Sequence, residues 1–449
     1  MPGDHRRALC YAAFAVYAAG VALFSGPGLD HWWGAWAAGG YAAAAVIAAV
    51  AGRPWGSGLA VAVSCAGALA APTLWLMTSE PTPPDVAVVA RSGVLLLHHG
   101  SPYLPLPALA AGGWLAYNPY LPVMALFGLP GALGLPGQTW PWLITVTFLL
   151  LYAVGRVTLD RPGGGHDGGP SGGRRGALGR AAFWLACPVM AFPLTMGSTD
   201  PPVIALICLA PALLARSAAR DARGARDAGD ARDAGDARGA RDARDGWGTP
   251  GTRDAGLAAL ALGIACAMKY TAWPALAVIA VMVATRDGAR SAVRFTAVAL
   301  AAAAGLVATL APAGLRAPEA LLQNTVAYPL GLTAAKSPAA SPLPGHLLAT
   351  LGSGGHLAAL ILLAAAGLGT VASLVVTPPA TPAVAARRIA AGLTALFLLS
   401  PATRFGYFSY PIALYAWAVL ASRVEATTDR PLAEPLVPAA VGLPGQPIW

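Results

Sequence analysis

Twelve separate apolar runs constrain this chain more than any other feature. A run of roughly 17 to 25 such residues crosses the hydrocarbon of a bilayer as a helix, because a helix satisfies its own backbone polar groups there. The first run, Ala8 to about Ser25, follows Arg6 and Arg7 and has the outline of a signal peptide. More apolar runs succeed it, so it reads as a retained first helix. The others are Trp36 to Gly52, Ser57 to Met77, Thr139 to Leu159, Ala181 to Met196, Val203 to Arg216, Leu257 to Met268, Ala272 to Thr285, Phe295 to Pro312, His356 to Val376, Ile389 to Ser400 and Tyr407 to Ser422. Only 11% of the 449 residues are charged and 56% are hydrophobic, with a mean hydropathy of +0.60. A soluble chain carries about a quarter of charged residues, so soluble α/β, all-β and disordered folds are excluded together. The expected fold is all-α and polytopic, with about 12 transmembrane helices.

The excess of 29 basic over 20 acidic residues is best read as topology and gives no nucleic-acid affinity, since most arginines lie between apolar runs. Cytoplasmic loops collect Arg and Lys. That places Arg6/Arg7, Arg53, Arg161 through Arg180, Arg220 to Arg253, Arg286 through Arg294, Arg387/Arg388 and Arg423 inside, with both termini, for a multi-pass protein of the plasma membrane. The scheme requires that Tyr117 to Leu133, broken by Pro119, Pro122 and Pro130, be re-entrant or interfacial. The chain then divides into N-terminal membrane helices (1–78), an outer loop (79–137), membrane helices (138–216), a cytoplasmic linker (217–254), membrane helices with an outer loop at 313–355 (255–422), and a tail (423–449). Arg220 to Asp245 holds seven Arg and seven Asp and reads as a low-complexity cytoplasmic linker, with transient helix open to it through Arg/Asp pairs three or four apart; Gly163 to Gly176 and the tail after Asp429 read as flexible. The five cysteines sit singly in apolar stretches at no metal-ligand spacing.

Chemistry is sought in the outer loops. Asp85, behind Pro83-Pro84, starts an amphipathic helix ending at His98-His99-Gly100. It either caps that helix or, as one of few outer carboxylates beside Glu80, Asp200, Glu319 and Asp30, serves as a general base. His98 and His99 are adjacent and cannot form the i, i+4 metal pair of a zinc enzyme. Gly197-Ser-Thr-Asp200-Pro-Pro opens an inward helix, with Asp200 capping it or its terminus meeting a sugar or phosphate oxygen. Lys269, one of only two lysines, interrupts an apolar stretch and either binds an anion or snorkels to the interface. Arg404, outside by this scheme, suits a phosphodiester that its fork binds bidentately, or stacks on its aromatic neighbours. Asn324, Tyr328 and His346 add hydrogen-bonding groups of the kind a sugar needs. No Walker loop, dinucleotide fingerprint, H-E-x-x-H or Cys-x-x-Cys is present.

Asp85, then Gly100-Ser-Pro102-Tyr103, then Tyr117-Asn118-Pro119-Tyr120-Leu-Pro122 resembles the first outer loop of the GT-C polytopic glycosyltransferases, above all glycosyltransferase family 87, the polyprenyl-phosphate-mannose-dependent α-mannosyltransferases. Gly263 to Lys269, followed by Pro274, is similar to that family's G-x-x-x-A-x-K segment, and Pro401-x-x-Arg404-x-Gly-Tyr407 to a P-x-x-R-x-x-Y segment. The sequence departs in having Asn118-Pro119-Tyr120 for Y-P-P, Gly197-Ser198-Thr199-Asp200 for G-Q-x-N, and an additional apolar pair before Asp85. The resemblance implies inverting transfer of a hexose, such as mannose, from a polyprenyl-phosphate donor to a lipid-linked or glycan acceptor at the extracytoplasmic face, for the cell envelope. Asp85 would be the base; Arg404, Lys269 and His346 would hold the donor phosphate. Tyr103, Tyr117, Asn118, Tyr120, Asp200, Asn324 and Tyr407 would line the substrate. No cofactor is implied, and a divalent metal is left open. The competing class, a secondary transporter or a flippase or carrier-binding protein without transferase activity, predicts internal repeats and mid-membrane charges, and no convincing repeat is present.

Overall fold

The computed structural model describes residues 2–26, 28–51, 55–78, 83–135, 139–159, 170–233, 250–316 and 318–428. Arg53 and Glu80, the linker residues 234–249 and the tail from 429 onward lie outside the described residues. Among the described residues the fold is all helical, with one isolated bridge between Ala340 and Thr403.

Eight helices are long and apolar enough to cross a membrane: Arg6–Phe24, Leu29–Val50, Gly58–Thr78, Pro141–Thr158, Asp200–Asp221, Ala289–Leu310, Ser353–Val376 and Pro382–Leu399. A ninth forms if Ala177–Ala186 and Pro188–Thr195, bent by 62°, count as one span. The bend falls at Pro188, which cannot donate to the preceding turn. The remaining three expected spans are helices too, but for physical reasons they fall short of that measure. Pro250–Met268 spends its first turns on Thr252, Arg253 and Asp254. Trp273–Asp287 has 15 residues, about 22 Å of helix against a hydrocarbon core of about 30 Å. Ser409–Thr428 ends in polar residues after Ser422.

Charged side chains gather at two ends of the helical bundle. Asp200–Asp233 lies against Pro250–Met268, whose Asp254 accepts from Arg216 and Arg220, each at 2.8 Å. At that same end Arg286 donates to the Leu214 carbonyl, Arg387 to Ser422 and Arg388 to Thr377. The opposite end collects Asp85, Asp200, Lys269 and Arg404.

Pro122–Gly128 is a 3₁₀ helix that runs into the four-residue Leu129–Ala132 helix. Eleven residues in that form cannot cross the bilayer. The segment lies against the Pro84–His99 helix, backbone to backbone at Gly93 and Gly128, where a Cβ on Gly93 would stand 2.3 Å from the Gly128 carbonyl carbon. Pro170–Ala186 is helical and takes in the last glycines of the stretch read as flexible, residues 163–169 of which lie outside the described residues, and the Asp200 helix continues for 34 residues to Asp233, into the Arg/Asp repeat. Arg and Asp three or four apart support such a helix.

Candidate functional site

The Pro84–His99 helix begins on Pro84, whose fixed φ suits a first turn, and ends at Gly100 with φ +63°, a left-handed stop that glycine takes without strain. No side chain caps its start. Asp85 instead points across the bundle end to Arg404, with Oδ2 3.4 Å from a guanidinium nitrogen 319 residues away. Both members are partly open, 27% and 38% exposed in their side chains. Burial works against the charge on Arg404, but Asp85 and the Tyr407, Tyr120 and Asp200 side chains raise its pKa above the ordinary arginine value. The guanidinium therefore stays charged.

Deeper in the same end lies a second, closed cluster. Lys269 occupies an extended break, φ −154° and ψ 139°, between the Pro250–Met268 helix and the 3₁₀ turn Tyr270–Ala272. Its ammonium pairs with Asp200 Oδ1, and both side chains are 6% exposed. The Tyr410 hydroxyl donates to the same oxygen at 2.8 Å and accepts from Thr271 at 3.0 Å, while Ser198 donates to Oδ2 at 3.0 Å. The Tyr120 and Tyr407 rings lie 5.4 and 5.2 Å from the ammonium, within cation–π range. Asp200 is thus saturated by neighbours, and any anion reaching Lys269 must compete with it.

The Tyr117–Tyr120 segment is held rather than left open. The Asn118 amide N–H donates to Asn324 Oδ1 at 2.6 Å, its carboxamide donates to Ser92 at 2.9 Å and to the Pro102 carbonyl at 3.2 Å, and its oxygen accepts from the Tyr120 N–H at 3.1 Å. Asn324 is also used internally, donating to Ala320. Tyr103 donates to the Tyr120 carbonyl at 2.9 Å, and Tyr117 stacks on Tyr328 with centroids 4.5 Å apart. Asn118 and Asn324, expected to line a substrate, are both buried and join two loops. Burial raises the Tyr103, Tyr120 and Tyr407 hydroxyls above the usual phenol value, Asp85 adding to the effect at Tyr120 and Asp200 at Tyr407. These phenols remain neutral donors.

His346 lies beside the Arg404 segment. Its Nδ1 faces the Pro401 carbonyl at 2.9 Å, so that nitrogen carries the proton and, in the neutral ring, Nε2 is a lone-pair acceptor. Among the described residues no group of three or more His, Cys, Asp or Glu side chains is arranged to hold a metal ion.

No family model, curated protein or solved structure matches the chain. The geometry therefore stands by itself. It brings Asp85 and Arg404 together in one pair and Lys269, Asp200, Tyr120 and Tyr407 together in a cluster of four. The sequence reading missed Tyr410 and Thr271, which complete the Asp200 network, and Arg91, which ties its helix to the Leu115 and Ala116 carbonyls. None of these carries a local signal, since each partner lies at least 24 residues away in sequence.

Proposed function

We propose that this chain is a GT-C-type membrane glycosyltransferase of twelve spans, which moves a hexose such as mannose from a polyprenyl-phosphate donor to a lipid-linked or glycan acceptor. The observation carrying the reading is the partly open Asp85–Arg404 pair, 3.4 Å apart, set over the buried Asp200–Lys269 cluster. In this reading Asp85 accepts the proton of the acceptor hydroxyl as its oxygen attacks the anomeric carbon. The bond from that carbon to the phosphate oxygen breaks on the opposite side, so the configuration inverts. Arg404 meets the charge gathering on the departing phosphate, which its fork can hold through two hydrogen bonds. An apolar cavity of about 340 Å³ adds support, since its wall includes Pro202 and Met268, the near neighbours of Asp200 and Lys269, together with Phe127, Trp142 and Leu206. Such a groove suits a hydrocarbon chain whose phosphate sits at the charged end.

Sidedness follows from the arginines. Arg216, Arg220, Arg286, Arg387 and Arg388 share the end opposite Asp85, and cytoplasmic loops hold such excess. The reading accordingly puts both termini inside and the Asp85 site at the extracytoplasmic face of the plasma membrane.

The test uses purified protein in nanodiscs with radiolabelled polyprenyl-phosphate-mannose and a membrane lipid extract, wild type beside Asp85→Asn. Label should pass to a new lipid product with wild type and fall at least about 100-fold with D85N, the scale of a lost general base. Equal transfer by both proteins would remove Asp85 as the base.

A further inference from the structure

Arg404 sits on an extended residue, φ −130° and ψ 144°, in a loop with no sheet to hold it. What fixes this backbone comes from another loop. Thr403 N–H donates to the Ala339 carbonyl at 2.9 Å, and the Ser341 N–H donates to the Thr403 carbonyl at 3.0 Å, forming the parallel Ala340–Thr403 bridge. On the other side of Arg404, the Phe405 N–H donates to the Ser341 hydroxyl oxygen at 3.0 Å. Ser341 therefore grips the peptide before Arg404 with its backbone and the peptide after it with its side chain. The same loop continues to Gly345, where a Cβ would stand 2.1 Å from the Leu399 carbonyl oxygen, and to His346, which donates to Pro401.

We propose that Ser341 is a positioning residue for Arg404, holding its backbone extended so that the guanidinium stands against Asp85, and that the Ala339–His346 segment is a strap serving this purpose. The proposal rests on the transferase reading only for its kinetic readout. Thr403 is held from the other side as well, its buried hydroxyl donating to the Phe397 carbonyl at 2.9 Å. His346 belongs to the strap: its protonated Nδ1 is spent on Pro401, and its part is to anchor the loop that carries the phosphate-binding arginine.

The experiment compares full-length wild type, Ser341→Ala and Ser341→Thr in nanodiscs by hydrogen exchange over residues 403–408 and by sugar transfer. With S341A the Phe405 amide should exchange about fivefold faster, the factor worth one ordinary hydrogen bond, with exchange unchanged at the far end around Arg216. S341T, which keeps the acceptor oxygen, should restore the wild-type rate. In transfer, S341A should lower the rate in the wild-type background and have little further effect on Arg404→Lys, because a residue acting through another is not additive with it. Unchanged exchange at Phe405 in S341A, or a full S341A effect persisting on R404K, overturns the proposal. If S341A does not accumulate, Ser341→Cys, with its weaker acceptor, is read in the same way. A wild type that moves no sugar would sink the transferase reading, while the exchange comparison would still decide the strap.

Discussion

Breaking the Asp200–Lys269 pair from either side should be far more damaging than removing it whole. Both side chains are 6% exposed, so truncating one strands the other charge away from water. Removing one member of a buried pair costs about 3–5 kcal/mol, whereas replacing both by neutral groups is often close to neutral. An independent bound gives the same scale. A stranded carboxylate can escape by taking up a proton, which at pH 7, from an ordinary value near 3.9 and at about 1.4 kcal/mol per unit, costs about 4 kcal/mol; a stranded ammonium that releases one costs about the same. Lys269→Met should therefore be destabilised by about 3–4 kcal/mol. Asp200→Asn should lose somewhat less, because Tyr120 and Tyr407 still face the ammonium and Tyr410 still finds an oxygen to donate to. The double variant should regain most of the loss. Thermal unfolding in detergent, followed by tryptophan fluorescence, reads all three variants. A double variant as unstable as the sum of the singles would refute the account of Lys269 as an internally neutralised cation.

Two further expectations follow from packing at either end of the bundle. Gly93→Ala should destabilise the protein by more than about 2 kcal/mol, since its Cβ would meet Gly128 backbone at 2.3 Å and backbone cannot step aside like a flexible side chain; unfolding no earlier than wild type would show the two segments separable. Asp254→Asn should leave Arg216 and Arg220 facing each other without their shared carboxylate, lowering stability by about 1–3 kcal/mol, and the loss should shrink in Asp254→Asn/Arg216→Gln, as measured by the same unfolding scan.

What was legible in advance is what depends on neighbours along the chain. Apolar runs announce helices because each residue faces lipid or another helix, and Pro119, Pro122 and Pro130 announce a segment too broken to span. The Asp85 helix was readable at both ends, from Pro84 and from Gly100. The Asp200–Lys269 pair was not, because 69 residues separate two charges that each looked like an isolated functional group. The bond between Asn118 and Asn324 was not readable for the same reason, since 206 residues separate them. Trp273–Asp287 is apolar but has only 15 residues, and helix length in a bundle is set by neighbours.

The Asp200 helix is longer than the hydrocarbon layer of a bilayer is thick. Its 34 residues measure about 51 Å at 1.5 Å each, so about 20 Å remains beyond a 30 Å hydrocarbon layer. The carboxylate at one tip and the repeat at the other therefore belong to a single rod. Gain or loss of Arg-Asp-Ala units would lengthen or shorten the far end of the rod and turn its tip by about 100° per residue, while the Asp200 end stays where Lys269, Tyr410 and Ser198 hold it. A drifting repeat is tolerable here because the rod transmits its changes outward, into water.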